Sequence, residues 1–183
     1  MIESIISKVK GFILNPVEAF QQSKKDDVNE VFIYFGVLLV VYSVLVAIMS
    51  VIGFGGVMPG GQSIVMVLIS SLLGTLILTL VFAVWLHLWV YLLGGKNGIM
   101  ATIKSVIYAS TPELLLGWLP VIGLIFSLWS IVLGILGLRE LQDISTSKAV
   151  IVYVIAVLIP VILLVMVAAF FMISFMSITE TMA

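Results

Sequence analysis

The 183 residues are 63% hydrophobic and 9% charged, far from the roughly 45–50% apolar and 25% charged composition of soluble domains, so the surface must face lipid. A formal net charge of −1 gives no basis for nucleic-acid binding, and the absence of cysteine excludes disulfides, thiolate metal sites and a cysteine nucleophile. Uninterrupted apolar runs of 20 residues and more exclude a β-barrel, whose strands alternate, and leave helices, because lipid cannot satisfy an open backbone. The expected fold is an all-α integral membrane protein: a five-span transmembrane helix bundle, 31–183, behind an N-terminal amphipathic interfacial helix in a cytoplasmic segment, 1–30.

In chain order, Ile2, Ile5, Ile6, Val9 and Ile13 share one helical face, with Glu3, Ser7, Lys8 and Lys10 off it. That pattern suits a helix lying among headgroups with its lysines toward anionic lipid. It is not a signal peptide, which needs a continuous apolar core and a small-residue cleavage site. Asn15-Pro16-Val17-Glu18 reads as a second helix start, with proline at the first helical position, and Asp27-Val28-Asn29-Glu30 as a third.

About 20 apolar residues cross a bilayer. Spans are expected at about 31–52, 63–93, 99–116, 121–138 and 149–178. The second and fifth runs are overlong and must tilt, kink or project, with Pro160 as the kink in the last. The third is weak, carrying Lys104, Glu113 and Pro112, and is expected to end in a turn at Gly117-Trp118-Leu119-Pro120. Its rival reading is a half-helix ending near Ser110 followed by a re-entrant segment, since Ser110-Thr111-Pro112-Glu113 has capping-box spacing. Orientation follows from charge. Five spans put all eight basic residues (Lys8, Lys10, Lys24, Lys25, Lys96, Lys104, Arg139, Lys148) on one side, which the positive-inside rule makes cytoplasmic. The N-terminus is then inside, the C-terminus outside, and the expected location is the cell membrane.

Gly123, Ser127, Ser130, Gly134 and Gly137 follow one another at steps of four, three, four and three, a small-residue stripe on one face of the fourth span. Such stripes let helix backbones approach closely, and packing is their expected role. Leu133 is expected on another face, where substitution matters less. Ser71, Thr75, Thr79 and Ala83 make a looser stripe on the second span.

Chemistry-bearing residues are few. One histidine and no cysteine offer no metal cluster, and no acid stands near His87 for a triad. Gly94-Gly95-Lys96-Asn97-Gly98 lacks the preceding strand and the Lys-Ser/Thr ending of a phosphate loop, so it reads as an interfacial turn. No enzyme and no cofactor are expected. His87 and Glu113, with Tyr108 and Ser110 near them, form a candidate intramembrane polar site, because ionisable groups in membranes are functional candidates by default. Their expected role is structural: a hydrogen-bonded histidine and a helix-capping glutamate.

Leu86-His87, Leu92-Leu93-Gly94-Gly95-Lys96, Tyr108-Ala109-Ser110-Thr111-Pro112, Leu119-Pro120-Val121-Ile122-Gly123, Leu128-Trp129, Gly137-Leu138 and Ser147-Lys148-Ala149 come in a telling order, after Asn15-Pro16 and Phe20. In these the chain resembles the Yip-domain family, the Ypt/Rab-interacting multi-span membrane proteins, in its shorter prokaryotic form. The positions carrying the likeness include Pro16, Gly94, Gly95, Pro112, Pro120, Trp129 and Lys148. The resemblance implies five spans and a cytoplasmic N-terminus. Eukaryotic members associate with Rab-type GTPases through a longer arm with an Asp-Leu-Tyr-Gly-Pro motif; this chain has no such motif, so Rab binding is not carried over. The reading that follows is a non-enzymatic membrane organiser that binds the lipid bilayer, other membrane proteins or a second copy of itself. The alternative is a small transporter or channel using the kinked third span with His87 and Glu113.

Overall fold

A computed structural model describes residues 2–52 and 63–182, and every regular element among them is a helix. In order these are α1 (Ile2–Leu14), α2 (Pro16–Ser23), α3 (Val28–Ile52), α4 (Ile64–Leu92), α5 (Gly98–Ala109), α6 (Thr111–Leu116), α7 (Ile122–Leu141) and α8 (Thr146–Met182). Four are long and apolar enough to cross a membrane: α3, α4, α7 and the Thr146–Ile173 part of α8. They match the first, second, fourth and fifth expected spans to within a few residues.

The third expected span, 99–116, is not one helix. It is α5 and α6, 12 and 6 residues long, and neither is long enough to cross alone. The break has a local cause. Pro112 has no N–H to give the Tyr108 carbonyl, and its ring crowds that carbonyl. The Thr111 hydroxyl takes over, donating to the Tyr108 oxygen at 2.7 Å, and the Ser110 hydroxyl donates to the Ile107 oxygen at 2.7 Å. The carbonyl that Pro112 would strand in an apolar setting is thereby satisfied.

Together α5 and α6 run antiparallel along α7. Gln142 at the end of α7 donates to the Gly98 oxygen at 2.8 Å, Ser105 donates to the Gly134 oxygen at 3.3 Å, and Gly123 lies against the Gly117 backbone. The tandem also packs on α3 and α4, and α8 closes against α4 and α7. The expected turn before α7 is present over 117–121.

At Pro160 α8 stays helical, but the proline leaves the Ala156 carbonyl without its intrahelical donor. The Trp85 indole of α4 fills that vacancy, donating to the Ala156 oxygen at 2.9 Å. Trp85→Phe should therefore destabilise by about 0.6 kcal/mol, the average for hydrogen bonds inside membranes. In a Pro160→Ala background, where α8 satisfies its own carbonyl, the same change should cost less. Thermal unfolding of the four variants in detergent checks this; an equal cost in both backgrounds would exclude it.

Two clusters form the core. One gathers Phe12, Phe20, Tyr34, Phe35, Ile107, Tyr108 and Leu133. The other gathers Ala83, Leu86, Val90, Leu138, Val152 and Tyr153. Leu133, expected off the packed face, is 0% exposed: α7 is contacted by α2, α5, α6 and α8, and Leu133 joins the cluster of Phe12 and Phe20, so the buried arc is wider than the glycine stripe.

Candidate functional site

The N-terminal arm is clasped to the bundle by aromatic rings. Phe12 stacks on Tyr108 with centroids 4.4 Å apart and meets Phe20 edge-on at 4.9 Å. Phe12 follows Ile5 and Val9 on the face of α1 that packs into the core, whereas Ile2, Ile6 and Leu14 remain exposed. The apolar face read from sequence thus divides between protein and surroundings, and its main anchor, Phe12, was not among the residues singled out. Its spacing of seven from Ile5 and three from Val9 was the available signal.

Polar groups complete the clasp. Asp26 pairs with Lys8 at 2.6 Å and accepts a hydrogen bond from the Tyr108 hydroxyl. Lys104 donates to the Asp26 carbonyl at 2.5 Å. Tyr34 donates to Thr111 at 2.8 Å, since the Thr111 proton is already committed to Tyr108. Farther out, Lys24 meets Asp143 at 2.8 Å, and Asn97 reaches the other Asp143 oxygen at 2.7 Å. Lys24 foremost, with Asn97, holds the Asp143 carboxyl below the usual range. These bonds bring 24–27, 94–98 and 142–148 to one side of the bundle, where Lys148 also lies beside Gly94. Gly94 and Gly98 have φ of 92° and 74°, a backbone that favours glycine, so this segment is a tight turn.

His87 belongs to a separate network. Its Nδ1 lies 2.8 Å from the Thr102 hydroxyl, which also accepts from Gln142 Nε2 at 2.9 Å. The Asn97 backbone N–H donates to Gln142 Oε1 at 3.1 Å, fixing the amide orientation. Each group is used once if Thr102 donates to Nδ1 of a neutral His87. His87→Gln should then retain stability, because an amide can accept from Thr102, whereas His87→Leu should cost about 0.6 kcal/mol. Melting temperatures of the two variants decide; equal losses would exclude a hydrogen-bonding role. Gln142, 2% exposed, joins three segments and was not foreseen, because a glutamine beside a loop carries no burial signal of its own.

Ser110 and Glu113 do come together, but not as a capping box. Ser110 makes no side-chain cap, its hydroxyl having turned to Ile107. Both residues line a cavity of about 440 Å3 between α3, α4, α5, α6, α7 and α8, with Tyr42, Thr79, Ser130 and Tyr153. The four residues of the candidate polar site therefore part three ways: His87 to Thr102, Tyr108 to the arm, Ser110 and Glu113 to the cavity. Thr102 precedes Glu113 by eleven positions, about 16 Å along a helix, which sets the His87 network well apart from the cavity.

The small residues of α7 lie at close approaches. A Cβ on Gly134 would strike the Tyr153 ring, one on Gly137 would strike Ser105 and Phe20, and one on Gly123 would strike Gly117. Ser130 is 7% exposed, and Ser127 lines the cavity. Of the other singled-out positions, Pro16 and Pro112 stand in the first turns of α2 and α6. Gly95 has no room for a Cβ between Val90 and Gln142. Pro120 is in the turn before α7, Trp129 faces outward from α7, and Lys148 is exposed in the first turn of α8.

No curated protein and no solved structure matches the chain at a significant level. The family model of the Yip1 domain matches residues 10–175, which takes in α2 to α7, most of α8 and the end of α1 carrying Phe12. With four helices able to cross a membrane and a family match over most of its length, the chain is a multi-pass membrane protein of the Yip1 domain family.

Proposed function

We propose that the protein is a non-enzymatic organiser of the cytoplasmic leaflet, with five crossings, the N-terminus inside and the C-terminus outside. The third crossing is the α5–α6 tandem, which follows α7 from Gln142 at one end to Gly123 at the other. All eight basic residues then share the cytoplasmic side, as the positive-inside rule requires. One observation carries the organising role: α1 is docked by Ile5, Val9 and Phe12 yet exposes Ile2 at 70%, Ile6 at 49% and Leu14 at 71%, with Lys10 exposed beside them. Lys8, expected to face lipid, is instead spent on Asp26; a helix held rigidly at the membrane surface, with apolar side chains facing outward and Lys10 alongside, acts as a wedge among anionic headgroups.

The chain has no cysteine, so single cysteines report cleanly. Cysteines replacing Lys25, Lys96 and Ser145 should be shielded from an impermeant maleimide added to intact cells, and one replacing Leu119 should be labelled. Labelling at Ser145 would sink the five-crossing topology. A spin label at Ile6 in liposomes should be relaxed by lipid-soluble oxygen more than by an aqueous nickel complex, and one at Lys10 the reverse. Equal aqueous access at both positions would sink the wedge.

A further inference from the structure

We propose that the cavity around Glu113 is a binding site for a lipophilic organic cation, an ammonium carried on an apolar body. It lies among helices that cross or line the membrane, and its 440 Å3 falls within the roughly 300–1,000 Å3 of small-molecule sites. Glu113 is the one carboxylate on its wall, and neither lysine nor arginine lines it. Among the described residues the Glu113 carboxylate has no hydrogen bond and no ion pair; only its backbone carbonyl is engaged, accepting from the Gly117 N–H. Glu113 is exposed toward this open space, and on the five-crossing reading, on which this inference rests, it stands at membrane depth, where a carboxylate is costly and ordinarily has a partner; the missing countercharge is the feature a ligand would supply.

Two further observations define the ligand. Ser130, 93% buried on the cavity wall, has a hydroxyl with no partner, which marks a place for a polar ligand atom. Tyr42, Phe82 and Tyr153 also line the space, and aromatic faces attract cations but not anions. A phosphate or a fatty-acid carboxylate would meet Glu113 with like charge. A bare metal ion would leave most of the volume unfilled. An ammonium with an apolar body satisfies the carboxylate, the rings and the space together.

The test uses the full-length protein in nanodiscs, with Ser127→Cys as a cavity reporter and Thr79→Cys as a second should the first not fold. Phenyltrimethylammonium should slow modification of the reporter by a small thiol reagent, and its neutral isostere tert-butylbenzene should not. Glu113→Gln should raise the half-protecting concentration about tenfold, the Coulombic attraction between carboxylate and quaternary ammonium having been lost, while Glu113→Asp should retain most of the protection. No protection by the ammonium would overturn the proposal. So would equal protection by the isostere or by sodium chloride at the same concentration, or an unchanged response in Glu113→Gln. None of these outcomes bears on the α1 wedge, which the spin-label measurement reads separately.

Discussion

Phe12→Ala should release the N-terminal arm from the bundle. Phe12 is 1% exposed and touches the rings of Tyr108, Phe20 and Tyr34, and truncating a buried phenylalanine typically costs about 3–5 kcal/mol. Most of that cost falls on the docking of α1, whose other apolar contacts, Ile5 and Val9, are only partly buried, while α2 keeps its own anchor in the buried Phe20. Limited proteolysis in nanodiscs should show faster cleavage within 15–27, with little change in the unfolding of the remaining bundle. Ile2→Ala, at a 70% exposed position, should change cleavage little, as surface substitutions stay within about 0.5 kcal/mol. Unchanged cleavage in Phe12→Ala would mean that the ion pair and hydrogen bonds of Asp26 hold the arm without the ring.

Gly134→Leu should be the most damaging substitution in α7. Even a Cβ at that position would overlap the Tyr153 ring, and Tyr153 is 6% exposed with Phe82 edge-on against it at 5.9 Å. Phe82 of α4 limits how far the ring can swing, so the cost belongs within the roughly 1–3 kcal/mol for overpacking. Val132→Leu, on a 42% exposed face, should be nearly silent. Tyr153→Ala should recover part of the loss in the Gly134→Leu background, which thermal unfolding of the single and double variants would show. If Gly134→Leu and Val132→Leu melt alike, α7 and α8 do not pack through this glycine.

The long helices were legible because each is a run of apolar residues bounded by turn residues, and such runs have one stable form in lipid. The stripe on α7 was legible for a similar reason: small side chains at helical spacing leave a groove that another backbone or ring can fill. The break at Ser110 was legible only as a rival reading. Hydropathy averages over Lys104, Glu113 and Pro112 and says nothing of the Ser110 and Thr111 hydroxyls that make the break tolerable. The capping role expected of Ser110 and Glu113 is absent because capping-box spacing describes only the local chain, whereas the cavity both line is built by α3, α4, α5, α7 and α8 as well. Leu133 and Gln142 show the same limit. Their burial is decided by what packs opposite, and a single helix's pattern does not contain its neighbours.

The unequal lengths of the membrane helices have a consequence for the surrounding lipid. The 29 residues of α4 and the 28-residue Thr146–Ile173 stretch of α8 make helices about 42–44 Å long, whereas the 20 residues of α7 make one of about 30 Å. The two long helices are neighbours, so the bundle has a tall flank and a short one. Acyl chains beside α7 meet an ordinary hydrocarbon thickness of about 30 Å, while those beside α4 and α8 must stretch or the helices must lean. Mismatch costs fractions of a kcal/mol per ångström, enough to bias where a protein resides. In a membrane of mixed chain lengths, the protein should collect longer lipids on one side of itself, making bilayer thickness a variable that it both senses and sets.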